Sequence, residues 1–203
     1  MKTVRIISAI FAALLLLQLA CSGLTDYPVS KPPLHSIVIY GDCRGSRGVH
    51  RQIVEKVFRA EPKAVFNTGD LVDDGSSADQ WAIFDNITCE LRQMAPYYPA
   101  LGNHDLPPDL FFAIFDLPNN ERWYSVEVDG LHFIVLDTNS AIDQGSEQYG
   151  WLEAQLQGMK DDFVVAIFHR PLLSSGWHGS DLSLDRILRP LFEEYDVDLV
   201  FNG

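Results

Sequence analysis

Short apolar runs alternate along this chain with segments whose apolar residues recur at helical spacing. Ile37 to Tyr40 reads as a strand, and Val49, Ile53, Val54, Val57 and Phe58 then fall on one helical face. Ala64 to Phe66 is the next run, a helical stretch surrounds Trp81 and Phe84, and Tyr98 to Leu101 follows. That order predicts β-α-β units. Phe111 to Phe115 predicts a short helix, and Asp129-Gly130 between Ser125 to Val128 and Leu131 to Leu136 predicts a hairpin, because this dipeptide tolerates the positive φ of a tight turn. A helix around Trp151, Leu152 and Leu156 leads to a buried strand, Phe163 to Phe168. Leu184, Ile187, Leu188, Leu191 and Phe192 mark a further helix that Pro190 should kink or divide, and Asp198 to Phe201 is the last strand. The fold class expected is α/β: a layered sandwich of two sheets flanked by helices, with ligands gathering at the carboxyl ends of the strands.

The first residues stand apart from this rhythm. Lys2 and Arg5 precede an apolar run from Ile6 to Leu17, and small residues surround Cys21. A spanning helix needs about 20 apolar residues, so residues 1–21 read as an export signal, placing the protein in the periplasm or at a cell surface. The stretch LQLAC is similar to a bacterial lipoprotein signal with Cys21 as the lipidated residue, which would make residues 22–35, with Pro28, Pro32 and Pro33, a linker to the membrane. Residues 36–203 then form one domain with a substantial core. Fifteen basic residues against 28 acidic ones give a net charge of −13. That balance argues against a nucleic-acid groove and favours bound cations. Three cysteines make no disulfide scaffold, although an oxidising compartment would permit a bridge between Cys43 and Cys89. Asn86-Ile87-Thr88 matches a glycosylation acceptor and reads as a chance match.

Four predicted strands end in polar clusters: Gly41-Asp42-Cys43-Arg44, Gly69-Asp70-Leu71-Val72-Asp73, Gly102-Asn103-His104-Asp105 and His169-Arg170-Pro171. Gly-Asp and Gly-Asn are ordinary turn formers one at a time. Four in register with strand ends are not explained as turns. Asp70 can bridge two divalent cations, and Asp42, Asn103 and His169 supply further oxygen and nitrogen donors; two cations there would hold a hydroxide and neutralise phosphoryl oxygens.

On Gly69-Asp70-Leu71-Val72-Asp73 and Gly102-Asn103-His104-Asp105, the sequence from about Ser36 onward resembles the calcineurin-like metallophosphoesterases, in particular their purple-acid-phosphatase-like bacterial branch. The resemblance implies a metallophosphoesterase-type β-sandwich, incomplete at its C-terminus, and hydrolysis of phosphate esters at a dinuclear centre of two divalent or mixed-valence ions. It implies that Asp70 bridges the metals, Asn103 and His169 bind them, His104 protonates the leaving group and Asp73 orients His104. Iron, manganese and zinc all remain open, since Asp73 stands where the purple-acid tyrosine ligand belongs. Arg44 stands where the family's first-motif histidine belongs; it has no lone pair to give, so it is expected to clamp substrate phosphate instead. Val197 to Gly203 is similar to the strand that runs into the family's Gly-His-x-His, so both of those histidines are expected beyond the residues given, and residues 1–203 alone are expected to bind metal poorly.

His178, in a loop after His169, is expected to reach substrate oxygens. Cys43 should point away from Asp42 and Arg44 in an extended segment. His50 reads as a supporting or capping residue rather than a ligand, and neither His35 nor His132 receives a role. Trp81 and Trp151 read as core, leaving Trp177 as the candidate for substrate recognition. The partner expected is a small phosphate ester, either monoester or diester. The competing reading is a surface lipoprotein that keeps the fold as a binding module without catalysis; a purely structural α/β domain is the least favoured.

Overall fold

The computed structural model describes residues 36–203; the expected signal at 1–21, Cys21, the linker at 22–35 and His35 lie outside them. Strands β1 (Ile37–Tyr40), β2 (Ala64–Asn67) and β3 (Tyr97–Pro99) form a parallel sheet in that order. Its crossovers are helices α1 (Arg47–Arg59) and α2 (Ala78–Met94), as parallel pairing requires. After the short helix α3 (Asp109–Ile114), β4 (Tyr124–Val128) and β5 (Leu131–Val135) pair antiparallel through Asp129 and Gly130, both at positive φ. Strands β6 (Phe163–Ile167) and β7 (Leu199–Phe201) then add in parallel to give the order β4-β5-β6-β7, with helices α4 (Glu147–Gly158) and α5 (Leu182–Glu194) as crossovers.

The period of two along β5 and β6 decides what each face meets. Phe133, Val135, Val165 and Ile167 share one core with Val65 and Phe66 of the first sheet. The Phe66 and Phe133 rings stack with centroids 4.2 Å apart. Ile134, Leu136, Val164, Ala166 and Phe168 point the other way, into a second core with Leu152, Leu156, Leu188 and Leu191 from α4 and α5. Both faces are therefore covered, which is why these strands read as continuous apolar runs rather than alternating ones. The first sheet's outer face is closed by Val54 and Val57 of α1 and Trp81 and Phe84 of α2.

Pro190 does not divide its helix. It lies on the exposed side of α5, where its ring meets solvent and the carbonyl it leaves unpaired can reach water. The expected strand Tyr98 to Leu101 begins one residue earlier and is shorter, Tyr97–Pro99, paired with Val65 to Asn67. Asn86-Ile87-Thr88 lies inside α2, with Thr88 fully buried and its hydroxyl donating to Phe84 O at 2.9 Å. The motif is thus part of a packed helix. Cys43 is a free, buried thiol, so the permitted Cys43–Cys89 bridge is not made.

Candidate metal centre

Asp42 follows β1, Asp70 follows β2, Asn103 and His104 follow β3, and His169 follows β6, so every predicted metal ligand leaves the carboxyl end of a parallel strand. Asp42 and Asp70 occupy left-handed backbone at φ 48° and 56°, a region a short acidic side chain tolerates better than most. Gly102 packs against Asp70 so closely that a Cβ there would lie 2.2 Å from both Asp70 N and Asp70 Oδ1. Ligand atoms of Asp42, Asp70 and His169 all fall within 4.8 Å of one another.

The donor set fits a cation. His169 Nδ1 sits 3.0 Å from Thr68 O, and a carbonyl can only accept, so the ring proton is on Nδ1. The Nε2 lone pair then faces Asp70 Oδ1 at 3.3 Å and Asn103 Oδ1 at 3.2 Å. With the ring neutral these are three converging acceptors, Asp70 Oδ1 also taking the His104 N–H at 3.0 Å, and an imidazole held through its other nitrogen is how a ligating histidine is oriented. On the opposite side the arrangement differs. Arg44 Nε–H donates to Asp70 Oδ2 at 2.7 Å, and Arg44 Nη1–H reaches Asp73 Oδ1 at 3.4 Å. The predicted phosphate clamp is therefore already paired with the residue expected to bridge two metals.

His104 is tied at both ends: its backbone N–H donates to Asp70 Oδ1 at 3.0 Å, and its ring Nδ1 donates to Asp73 O at 2.8 Å. Asp73 thus meets the imidazole through its backbone carbonyl, while its carboxylate turns to Arg44. Arg44, His104 and His178 all line a cavity of about 620 Å³ together with Asp42, Asp70 and His169. Trp177, 97 % exposed, stands at its rim. Cys43 points into the protein, its Sγ facing the backbone carbonyls of Asp70 and Leu71, and burial pushes its thiol up to about 12.

Two supports escaped the sequence reading. The first is Asp105, fully buried, whose Oδ1 accepts from Leu71 N and Val72 N at 2.8 and 3.2 Å and whose Oδ2 accepts from Asp70 N and Gly102 N at 3.0 and 2.8 Å. Burial pushes its pKa up to about 7 against the opposing pull of those amides. The second is a buried relay. Gly69 N–H donates to Asn67 Oδ1 at 2.9 Å, Asn67 Nδ2 donates to Tyr97 OH at 3.2 Å, Tyr97 and Tyr40 hydroxyls meet at 2.7 Å, and Tyr40 OH meets His50 Nε2 at 3.3 Å. His50 thus supports the Gly69-Asp70 turn from the core rather than capping a helix. Its neutral form is enforced by burial, which lowers its pKa to about 4.

A carboxylate, an amide oxygen and an imidazole at strand ends of this double sheet are the arrangement implied by the motifs, and the sequence profile described as Calcineurin-like phosphoesterase matches residues 35–203. The chain belongs to the calcineurin-like phosphoesterase family. Within it, the chain is 24% identical over 201 residues to Purple acid phosphatase 18 of Arabidopsis thaliana, covering 88% of this chain and 46% of that protein. It is 28% identical to Probable inactive purple acid phosphatase 27 of the same plant, covering 88% of this chain and 36% of the relative. The chain thus spans less than half the length of these relatives. The purple acid phosphatase PPD1 from yellow lupin (Lupinus luteus) shares the fold, with a TM-score of 0.68 at 21% identity over 85% of this chain and 38% of that one. Membership in the phosphoesterase family supports metal-dependent phosphoester hydrolysis, and the Asp42–Asp70–His169 cluster supplies a place for a metal.

Proposed function

We propose that this chain carries the metal-binding core of an exported hydrolase of small phosphate esters. The observation that carries the reading is the convergence of His169 Nε2, Asp70 Oδ1 and Asn103 Oδ1 at the floor of a cavity that Arg44 and His104 also line. Asp42, Asp70, Asn103 and His169 would hold the metal. A divalent ion there supplies Lewis acidity toward a phosphoryl oxygen and lowers the pKa of water. Arg44 and His178 orient the phosphate through N–H groups directed at its oxygens. His104, with Nδ1–H fixed on Asp73 O, presents Nε2 and, as the imidazolium, gives its proton to the ester oxygen as the P–O bond breaks. Export rests on the pattern of residues 1–21, with a lipid on Cys21 as the means of membrane attachment. No helix among the described residues is long and apolar enough to cross a membrane.

The test compares leaving groups. In the full chain, hydrolysis of both p-nitrophenyl phosphate and an alkyl phosphate should stop with a chelator and return with manganese or zinc. His104→Ala should slow the alkyl ester by about 10²- to 10⁴-fold while p-nitrophenyl phosphate, whose leaving group needs no proton, loses far less. Equal losses would remove His104 from the acid role. The Arg44–Asp70 ion pair favours a second reading, a binding module that holds metal and phosphate without turnover. Stoichiometric metal with no hydrolysis of monoesters or diesters would select it.

A further inference from the structure

The two oxygens of Asp70 face different surroundings. Oδ1 accepts from His104 N–H at 3.0 Å and faces His169 Nε2 at 3.3 Å, which in turn lies 3.2 Å from Asn103 Oδ1, a cluster that a bound cation would hold together. Oδ2 already has one, the Arg44 guanidinium at 2.7 Å. Arg44 is held there twice, because its backbone N–H also donates to Asp70 O at 3.2 Å. Its Nη1 reaches Asp73 at 3.4 Å, so the planar fork joins two carboxylates. Asp70 is only 2 % exposed, and a carboxylate so buried needs compensating charge at all times. Arg44 provides it before any metal arrives.

We propose that the Arg44 guanidinium is a permanent cation filling one of the two seats on Asp70, so that the centre holds a single divalent ion, on the His169–Asn103 side. This rests on the metal-dependent reading above. The charges close on that count: Asp42, Asp70 and Asp73 are matched by one divalent ion and one guanidinium. A second divalent ion would overshoot that balance and would have to share Asp70 Oδ2 with a positive group that cannot give up its proton. Nor can Arg44 ligate the ion it would have to accommodate. It remains on the cavity wall, where the N–H groups not engaged by Asp70 and Asp73 are placed to receive a phosphate oxygen. Positive charge on this side of the phosphate is therefore always present, and metal supply governs the other side alone.

Manganese is the probe. Titration of the full chain with Mn²⁺, followed by calorimetry and elemental analysis, should reach one tightly held ion per chain, and its electron paramagnetic resonance spectrum should be that of an isolated ion. Arg44→His, which removes the guanidinium and adds an imidazole donor, should take up two ions and show an exchange-coupled spectrum. A coupled pair in the unaltered protein would overturn the proposal while leaving metal-dependent hydrolysis intact, and this measurement decides the matter even where the variant does not fold. A folded Arg44→His protein that still holds one ion would overturn the part assigned to Arg44. No Mn²⁺ bound by either protein would overturn the metal-dependent reading itself.

Discussion

Around Asp70 the N–H groups of four residues converge on the buried carboxylate of Asp105, and the Gly69 N–H runs through Asn67, Tyr97 and Tyr40 to His50 in the core. Across the cavity, the loop from Ser174 to Ser180 bonds mainly to itself: Ser174 N to Ser180 Oγ at 3.0 Å, Gly176 N to Ser174 Oγ at 3.0 Å and Gly179 N to Gly176 O at 3.1 Å. It carries His178 and a Trp177 side chain in contact with almost nothing. The metal side is fixed by buried bonds between distant parts of the chain, and the substrate side is held by local ones. Geometry that must hold a cation to within fractions of an ångström is built on the first kind; adaptable contact with an ester's organic group can be left to the second.

The largest expected effect comes from cutting the fixed side at its centre. Asp105→Ala would strand four buried amide donors and should lower unfolding stability by about 3–5 kcal/mol, with weaker Mn²⁺ binding. Urea denaturation checks the first and calorimetry the second; a loss under about 1 kcal/mol would mean that Asp105 does not hold the turn. His50 offers a milder cut, made by pH. Its folded pKa of about 4 lies below its ordinary value, so as pH falls from about 6.5 toward 4 the unfolded chain takes up a proton that the folded chain refuses. Stability should therefore decline across that window, by about 3 kcal/mol from this group. A His50→Phe protein should show a flatter dependence, and matching slopes for the two proteins would clear His50 of the effect. The smallest effect should come from the adaptable side. Trp177→Ala should leave stability within about 0.5 kcal/mol and kcat unchanged, yet raise KM for aryl phosphates by about 2- to 10-fold with no change for short alkyl phosphates. A drop in thermal stability would instead place Trp177 in the fold.

The fixed side was only half legible in the sequence. Asp42, Asp70, Asn103, His104 and His169 announce themselves because strand, turn and polar residue follow one another within a few positions, and a strand's carboxyl end is where such residues gather. The two cores were legible for the same local reason, a period of two or of 3.6. What holds the ligands was not. Asp105 reads as one more residue in a turn until its carboxylate is seen accepting from residues 33 to 35 positions earlier. Tyr40, Tyr97 and His50 look like core residues, since their hydroxyl and ring contacts span 10 and 57 positions. Arg44 could be recognised as a residue unable to bind metal, but its pairing with Asp70 depends on how β1 and β2 lie side by side. Asp73 could be placed beside His104 from its motif, but not which of its oxygens faces the ring, because spacing identifies a residue and not an atom.

The left-handed backbone at Asp42 and Asp70 narrows which residues those two sites could ever accept. Cation chemistry admits any side chain with an oxygen donor, glutamate and glutamine included. Backbone at φ 48° and 56° admits chiefly glycine, asparagine and aspartate. Aspartate and asparagine satisfy both alphabets most readily, and of the two only aspartate brings charge. Glutamate could adopt such backbone, as Glu61 and Glu121 do at φ 45° and 65°, but its extra methylene would carry the carboxylate past the place where the other ligands meet.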